Sequence, residues 1–173
     1  MTIQYQAGLE IIGVGAAGRV YKVGDHTVLK TCRIFDRPSK NATLRALWDY
    51  ASETVFHSSL LKDESAVLRL HEKRPYLNII EVINADQPEA IYLRRYRPLS
   101  DPILACQLDR FIWYQDIIRA LVHLHNLSIT HSDIRKDNIL VDCNGHAMLS
   151  DFGASCPFGY QNSSLPLLSN GPS

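Results

Sequence analysis

Hydrophobic residues near the start of the chain form two short runs, and their pattern predicts a β-hairpin. Residues 20–23 and 27–30 are rich in valine, leucine and tyrosine, and Gly24 and Asp25 stand between them. β-Branched and aromatic residues favour strands, and a break that contains glycine favours a turn between two strands. Residues 20–30 are therefore predicted to run strand, turn, strand.

A second hairpin is predicted in the last third of the chain. The apolar run 139–141 is followed by a turn that contains Asn144 and Gly145, and then by the strand-like segment 146–150. Asn followed by Gly between two such runs is a strong hairpin signal, because both residues tolerate the backbone of a tight turn. The two strands should therefore lie side by side, with residues 138 and 151 close together.

Two other segments repeat hydrophobic residues every three or four positions, which is the spacing of one helix face. The clearer helix is predicted from Leu108 to His125, and its shared face consists of Phe111, Tyr114, Ile118, Leu121 and Leu124. The segment from Asn41 to Leu61 has the same spacing at Leu44, Trp48, Ala51 and Val55. It predicts an extra or a lengthened helix, followed by a short amphipathic helix that contains Glu64 and ends before Pro75.

Composition describes an ordinary globular chain. Of its 173 residues, 46% are hydrophobic and 21% are charged, and the formal net charge is +0. This balance gives no reason to expect a nucleic-acid partner, and no apolar run approaches the roughly 20 residues of a membrane span. The polar first residues lack a signal-peptide core, so a cytoplasmic or nuclear location is expected. Four cysteines without paired metal-ligand spacing are interpreted as reduced thiols: Cys32, Cys106, Cys143 and Cys156.

Residues suited to phosphoryl transfer flank the second hairpin. Asp133 precedes Asn138 by five positions, and Asp151 follows the second predicted strand. Transfer of a phosphoryl group to a hydroxyl needs a carboxylate that accepts or steers the hydroxyl proton, and oxygen ligands that hold magnesium. One amide and one carboxylate suit magnesium, which also coordinates phosphate and water. The alternative interpretation is that these are only polar turn residues beside a hairpin.

A glycine-rich segment leads into the first hairpin. Gly13, Gly15 and Gly18 form the pattern GxGxxG within residues 11–20. In dinucleotide-binding folds this pattern opens a helix, but here predicted strands follow it. Glycines in such a hairpin let backbone amides approach phosphate groups with no side chain between them.

Together these motifs resemble those of protein kinases. HSDIRKDN at residues 131–138 and DFG at residues 151–153 are similar to the catalytic loop HRDLKxxN and the magnesium loop of that family. The resemblance implies that Asp133 is the catalytic base and that Arg135, where kinases usually carry Lys, lies near the transferred phosphate. It also implies that Asn138 and Asp151 bind Mg²⁺. The likeness covers about residues 8–158.

The resemblance also implies a set of ATP-binding residues. TVLK at residues 27–30 occupies the place of VAIK, so Lys30 is expected to hold the α and β phosphates. Leu93 is expected to be the gatekeeper, and the backbone of Arg94 to Tyr96 is expected to bind adenine. The predicted nucleotide-binding residues are Gly13, Val14, Gly15, Gly18, Val20, Val28, Lys30, Leu93, Arg95 and Leu140.

A kinase lysine needs a glutamate partner on a neighbouring helix. Glu64 is the favoured partner of Lys30, and Glu53 is the alternative, because the separation between Lys30 and Glu64 is long for the family. Either glutamate would otherwise be an ordinary exposed helix charge.

The predicted fold is α+β and kinase-like. Residues 1–97 are expected to form an antiparallel β small lobe with a helix, and residues 98–158 a partial, mainly helical large lobe with the catalytic and DFG loops. Residues 159–173 have linker-like composition and are predicted to be disordered. The later large-lobe helices of the family have no counterpart before Ser173. The helix from Leu108 to His125 should therefore expose a wide apolar face.

Three functions are compatible with these residues. The first is an ATP- and Mg²⁺-dependent protein kinase that acts on Ser or Thr hydroxyls of a protein substrate. The second is a small-molecule phosphotransferase of the aminoglycoside or choline kinase type, which shares HxDxxxxN and a following Asp. The third is a catalytically silent nucleotide-binding or interaction fragment.

Overall fold

The computed structural model describes residues 8–15, 18–72, 74–101 and 110–160. Its first part is an antiparallel sheet with the spatial order β1-β2-β3-β5-β4. The strands are β1 (Glu10–Val14), β2 (Arg19–Lys22), β3 (Thr27–Thr31), β4 (Val82–Asn84) and β5 (Ala90–Arg94). Lys30 lies between Val20 of β2 and Ile91 of β5, and Val28 lies opposite Leu93. Because side chains alternate between the faces of a strand, Lys30 and Val28 share one face.

A single helix, α1 (Leu44–Glu72), contains 29 residues and packs beside this sheet. Its start is capped by Thr43, whose Oγ1 accepts a hydrogen bond from the Ala46 amide at 3.2 Å. It ends before Pro75, as predicted. Of the two alternatives for residues 41–61, the structure has the lengthened helix: no glycine or proline interrupts the segment, so one helix runs through to Glu64 and beyond.

The second part of the fold carries the helix α2 (Arg110–Asn126) and two small sheets. β6 (Arg97–Pro98), β8 (Ile139–Val141) and β9 (Ala147–Leu149) form the sheet that contains the predicted second hairpin. β7 (Ile129–Thr130) pairs with β10 (Cys156–Pro157). Short 3₁₀ turns occur at Lys136–Asn138 and Phe152–Ala154. These turns stand directly before β8 and shortly after β9, so the hairpin brings them together.

One apolar cluster connects these elements. It includes Leu61 and Leu68 of α1, Leu93 of β5, Leu124 of α2 and Phe152, all of them buried. The antiparallel sheet with its helix and the second part that carries α2 agree with the α+β class predicted from the sequence. The hairpin of β8 and β9 shares one core with α1, so the position of one depends on the packing of the other.

The outer face of α2 is apolar and exposed, as expected. Phe111, Tyr114 and Ile118 are 72%, 69% and 59% exposed. Leu124 was predicted on the same face, but that was wrong: it is buried, as Asp116 is, because it lies about 120° around the helix from Ile118. No helix in the described part of the chain is long and apolar enough to cross a membrane. Cys32, Cys143 and Cys156 are free thiols, and Cys106 lies outside the described residues, as does the predicted linker from residue 161 onward.

Candidate functional site

Lys30 lies at the centre of a buried cluster of charges. Its Nζ is 2.7 Å from both carboxylate oxygens of Glu64 and 2.8 Å from Oδ1 of Asp151. Glu64 is completely buried on α1, and Asp151 follows β9. Glu53, the alternative partner, instead lies 3.4 Å from the ring of His57. The fold thus brings together three residues that are far apart in the sequence.

Burial and pairing have opposite effects on the ionisation of this cluster. Burial alone would lower the pKa of Lys30, but the charges of Glu64 and Asp151 outweigh it and raise that pKa above 10.5. Burial also opposes ionisation of Asp151, but the charge of Lys30 outweighs this effect and lowers the pKa of the Asp151 carboxyl. For Glu64, which has no exposure, desolvation dominates and raises the pKa. Lys30 is therefore held as a cation, and Asp151 as a carboxylate.

The predicted catalytic loop is closed by hydrogen bonds across five positions. The side-chain amide of Asn138 donates to the Asp133 carbonyl oxygen and to Asp133 Oδ2, both at 2.9 Å. Asp133 is partly exposed, so a substrate hydroxyl could reach its carboxylate. Arg135 is more than half exposed, with its Nε 3.5 Å from Asp133 Oδ2, a weakly held ion pair that leaves the guanidinium free to move.

The loop and the DFG segment are joined through the hairpin. The backbone amide and hydroxyl of Ser150 both donate to the Asn138 carbonyl oxygen at 2.9 Å. His131 Nε2 donates to the Ser150 carbonyl oxygen at 3.0 Å, while its Nδ1 faces the Asp133 amide at 3.4 Å. Burial lowers the pKa of His131, so the ring is neutral and its proton is on Nε2. His131 also packs edge-on against Phe152.

The donor atoms of Asn138 and Asp151 fit a magnesium ion. Because the Asn138 amide nitrogen donates to Asp133, its Oδ1 is left with free lone pairs. Asp151 binds Lys30 through Oδ1, and its Oδ2 faces Gly15, where a Cβ would lie 4.0 Å away. Asp151 holds a left-handed backbone with φ 61°, which aims this carboxylate between the loop and the lysine. One amide oxygen and one carboxylate oxygen, with phosphate and water, match the preference of Mg²⁺.

The described glycines of the glycine-rich segment, Gly13, Gly15 and Gly18, are together called the glycine roof. The Gly15 amide donates to the Gly18 carbonyl oxygen at 2.9 Å, and Arg33 Nη2 donates to the Gly15 carbonyl oxygen at 3.0 Å. A Cβ on Gly18 would overlap the carbonyl oxygen of Thr31, so only glycine fits there. Gly13 has room for a Cβ beside Val20. Gly18 is therefore held close to β3, the strand that carries Lys30, and Gly15 lies close to Asp151.

Four of the predicted nucleotide-binding residues belong to the main apolar cluster or pack against it. Val28 and Leu93 are buried in the cluster, and Val20 and Leu140 are partly buried against it. The cluster thus contains residues of the five-stranded sheet and of β8. Val14, by contrast, is 65% exposed at the end of β1.

The predicted hinge has backbone partners of its own. The Arg94 amide donates to the backbone carbonyl oxygen of Glu81 at 3.0 Å, and the Arg95 amide donates to the backbone carbonyl oxygen of His26 at 2.8 Å. Any hydrogen bond from the Arg95 backbone to adenine would therefore have to use its carbonyl oxygen. An open cavity of about 1010 Å³ borders residues 94–98 and the 142–144 turn, but the charge cluster does not line it.

The sequence reasoning missed a buried acid that supports the hairpin. Asp116 of α2 is 1% exposed, and its Oδ2 accepts hydrogen bonds from the Ala147 amide at 3.0 Å and from His146 Nδ1 at 3.1 Å. Ala147 begins β9, the strand that leads to Asp151, so Asp116 provides a hydrogen-bond acceptor for the first backbone amide of that strand. The available signal was that Asp116 is the one acidic residue of α2.

Comparison with known proteins gives consistent results. A family model described as "Protein kinase domain" matches residues 7–169. Ribosomal protein S6 kinase alpha-4 of Mus musculus is 26% identical over 91% of this chain and 21% of that protein. Serine/threonine-protein kinase ppk8 of Schizosaccharomyces pombe is 26% identical over 93% of this chain and 31% of that protein.

A solved structure is also similar in fold. The bifunctional kinase-methyltransferase WbdD superposes with a TM-score of 0.52 at 22% identity, over 91% of this chain and 34% of that one. The chain thus spans between a fifth and about a third of the length of these relatives.

Proposed function

The chain belongs to the protein kinase family, and from that premise we propose that it transfers the γ-phosphoryl group of ATP to a Ser or Thr hydroxyl of a protein. The main observation behind this proposal is that two clusters of polar side chains meet at the hairpin of β8 and β9. Lys30 joins Glu64 to Asp151, while Asn138 joins Asp133 to the same hairpin through Ser150. A phosphate between the glycine roof and Asp151 would meet a cation on one side and a carboxylate base on the other.

Asp133 is proposed to receive or steer the hydroxyl proton. Its carboxylate is partly exposed, and the Asn138 amide fixes its orientation from behind. A carboxylate held in this way contributes typically about 10²–10⁴-fold to the rate of proton transfer. Arg135 lies beside Asp133 in a weak, exposed ion pair, and its guanidinium is proposed to approach the transferred phosphate.

Lys30 is proposed to hold the phosphates in place. Glu64 holds the Lys30 ammonium beside Asp151. The raised pKa of Lys30 keeps the ammonium charged across the physiological range. Asn138 Oδ1 and Asp151 Oδ2 are the proposed metal ligands. Mg²⁺ bound there would neutralise charge on the phosphate oxygens.

The Ser/Thr preference and the location are the finer parts of the proposal. The preference draws on the names of the relatives, ribosomal protein S6 kinase alpha-4 and a serine/threonine-protein kinase. The free thiols Cys32, Cys143 and Cys156 fit a reducing compartment, so we place the protein in the cytoplasm or nucleus.

The test is transfer of labelled γ-phosphate from ATP with Mg²⁺ to a panel of Ser, Thr and Tyr peptides, with an aminoglycoside and choline as small acceptors. Asp133→Asn should lose at least about 100-fold in rate. Asp137→Asn, an exposed acid in the neighbouring 3₁₀ turn, is the matched control and should keep full activity. Equal transfer by wild type and Asp133→Asn would refute the assignment.

Other outcomes of this assay distinguish the alternatives. Transfer to the small acceptors alone would favour the small-molecule phosphotransferase. Stabilisation by ATP and Mg²⁺ in a thermal shift, without transfer to any acceptor, would indicate a nucleotide-binding fragment that is catalytically silent.

A further inference from the structure

The first three turns of α1 carry an apolar stripe, defined here as Leu44, Trp48, Ala51 and Val55. Leu44, Trp48 and Val55 are 86%, 72% and 68% exposed. Positions separated by four, three and four residues lie on one face of a helix, so these side chains form a continuous row. The opposite face, which includes Ala46 and Tyr50, is partly buried against the body of the protein. The stripe therefore points away from the fold.

One pair of opposite charges lies beside the stripe. Arg45 Nε lies 3.2 Å from Asp49, which is one helical turn further along the helix. These two charges compensate each other, so an identical surface could approach this side of the stripe without repulsion between like charges.

The exposed area matches the need of a small dimer interface. Leu47 and Phe56, each 41% exposed, flank the stripe and extend it. Together these side chains expose about 500–600 Å² per copy, close to the roughly 600 Å² that each partner contributes to the smallest specific interfaces. A tryptophan near the centre of the patch is the residue type that most often dominates binding energy.

We propose that two copies of this chain associate through the α1 stripe, with the two helices antiparallel. A two-fold axis between residues 49 and 50 puts Trp48 of each copy over Ala51 of the other, and Leu44 over Val55. The largest residue of the row then faces the smallest, and the layers have the spacing of an antiparallel helix pair. This inference does not depend on the proposed catalytic function.

Sedimentation equilibrium of the full chain from about 1 to 200 μM tests the proposal, since an interface of this size implies micromolar dissociation. The expected result is a shift from 19.6 kDa to twice that mass with rising concentration. Trp48→Ser should weaken dimerisation by about 30-fold or more. Ile118→Ser is the matched control, because Ile118 is an exposed apolar residue on the other helix, and it should leave the dissociation constant unchanged.

A size exchange tests the orientation. Ala51→Trp alone should weaken the dimer, because two tryptophans would meet, and Trp48→Ala combined with Ala51→Trp should restore it. Far-UV circular dichroism of each variant should match wild type, since these side chains are exposed. A monomer at every concentration would overturn the proposal, whether the stripe then meets residues 161–173 or another protein. Dissociation by Ile118→Ser but not by Trp48→Ser would also overturn it.

Discussion

Replacing Glu64 by Leu should destabilise the protein strongly, because it removes the main partner of a buried charge. Lys30 has a side chain only 8% exposed, and after the substitution its remaining ion-pair partner among the described residues is Asp151 at 2.8 Å. Breaking a buried ion pair by removing one partner costs about 3–5 kcal/mol. The lower end applies here, since Asp151 is partly exposed and still neutralises the ammonium. We therefore expect a loss of about 3 kcal/mol in the free energy of unfolding.

The double variant separates loss of the pair from loss of the charges. When Lys30→Met accompanies Glu64→Leu, apolar groups of similar size fill the same space, and no buried charge remains at either position. Replacing both members of a buried ion pair in this way is often close to neutral. Asp151 loses Lys30 in the double variant just as it does in Lys30→Met alone, so this loss cancels from the comparison. The sum of the two single losses should therefore exceed the loss in the double variant by about 2 kcal/mol or more. The double variant should nevertheless lose nucleotide binding, because Lys30 is the proposed phosphate contact.

Urea unfolding monitored by circular dichroism measures these free energies. Glu53→Leu is the matched control, since Glu53 lies on the same helix, is half exposed and has only a 3.4 Å contact with His57. It should change stability by less than about 0.5 kcal/mol. Equal losses for Glu64→Leu and Glu53→Leu, or a double variant whose loss equals the sum of the singles, would refute the reasoning.

Three further predictions concern other parts of the site. Gly18→Ala should lower the free energy of unfolding by about 1–3 kcal/mol, because the added Cβ overpacks the site. Gly24→Ala should be tolerated, because a Cβ there meets nothing within 4 Å. Equal stability of the two variants in urea would contradict this prediction. Asp116→Leu should lower the free energy of unfolding by about 1–3 kcal/mol, because the buried Ala147 amide loses its hydrogen-bond acceptor. Asp116→Asn keeps an acceptor oxygen and should lower it less. The reverse order in thermal unfolding would contradict the role of the acceptor. Burial lowers the pKa of His71 below its ordinary 6.5, so the unfolded chain binds its proton first and stability should fall on acidification below about pH 6.5. His71→Leu should flatten that fall, and an unchanged slope of stability between about pH 7 and 5 would contradict it.

The local features of the site were predictable because they depend on short-range rules. The hairpin of β8 and β9 follows from Asn144 and Gly145 between apolar runs, and the turn between β2 and β3 follows from Gly24 and Asp25. Each of these signals lies within a few residues of the structure it specifies. The roles implied by the kinase-like motifs stay predictions that the proposed experiments test.

Long-range contacts were less accessible. Lys30 and Glu64 are 34 positions apart, and the choice between Glu64 and Glu53 depended on how far α1 continues without a break. Asp116 reaches Ala147 across 31 positions, and no local pattern indicates that the acid of α2 will accept a hydrogen bond from the backbone of β9. The Arg95 amide donates to the His26 carbonyl oxygen because the pairing of β3 with β5, which ends at Thr27 and Arg94, continues by one more hydrogen bond. This strand register could not be read from the local sequence.

Binding of a non-hydrolysable ATP analogue, measured by calorimetry with and without Mg²⁺, tests the central claim most directly, because it needs no acceptor substrate. If Lys30, Asn138 and Asp151 form one phosphate site, wild type should bind the analogue, Mg²⁺ should tighten binding, and Asp151→Asn should lose most of that gain. A chain that does not bind the analogue, or binds it equally well without Mg²⁺ and with Asp151→Asn, would contradict the account.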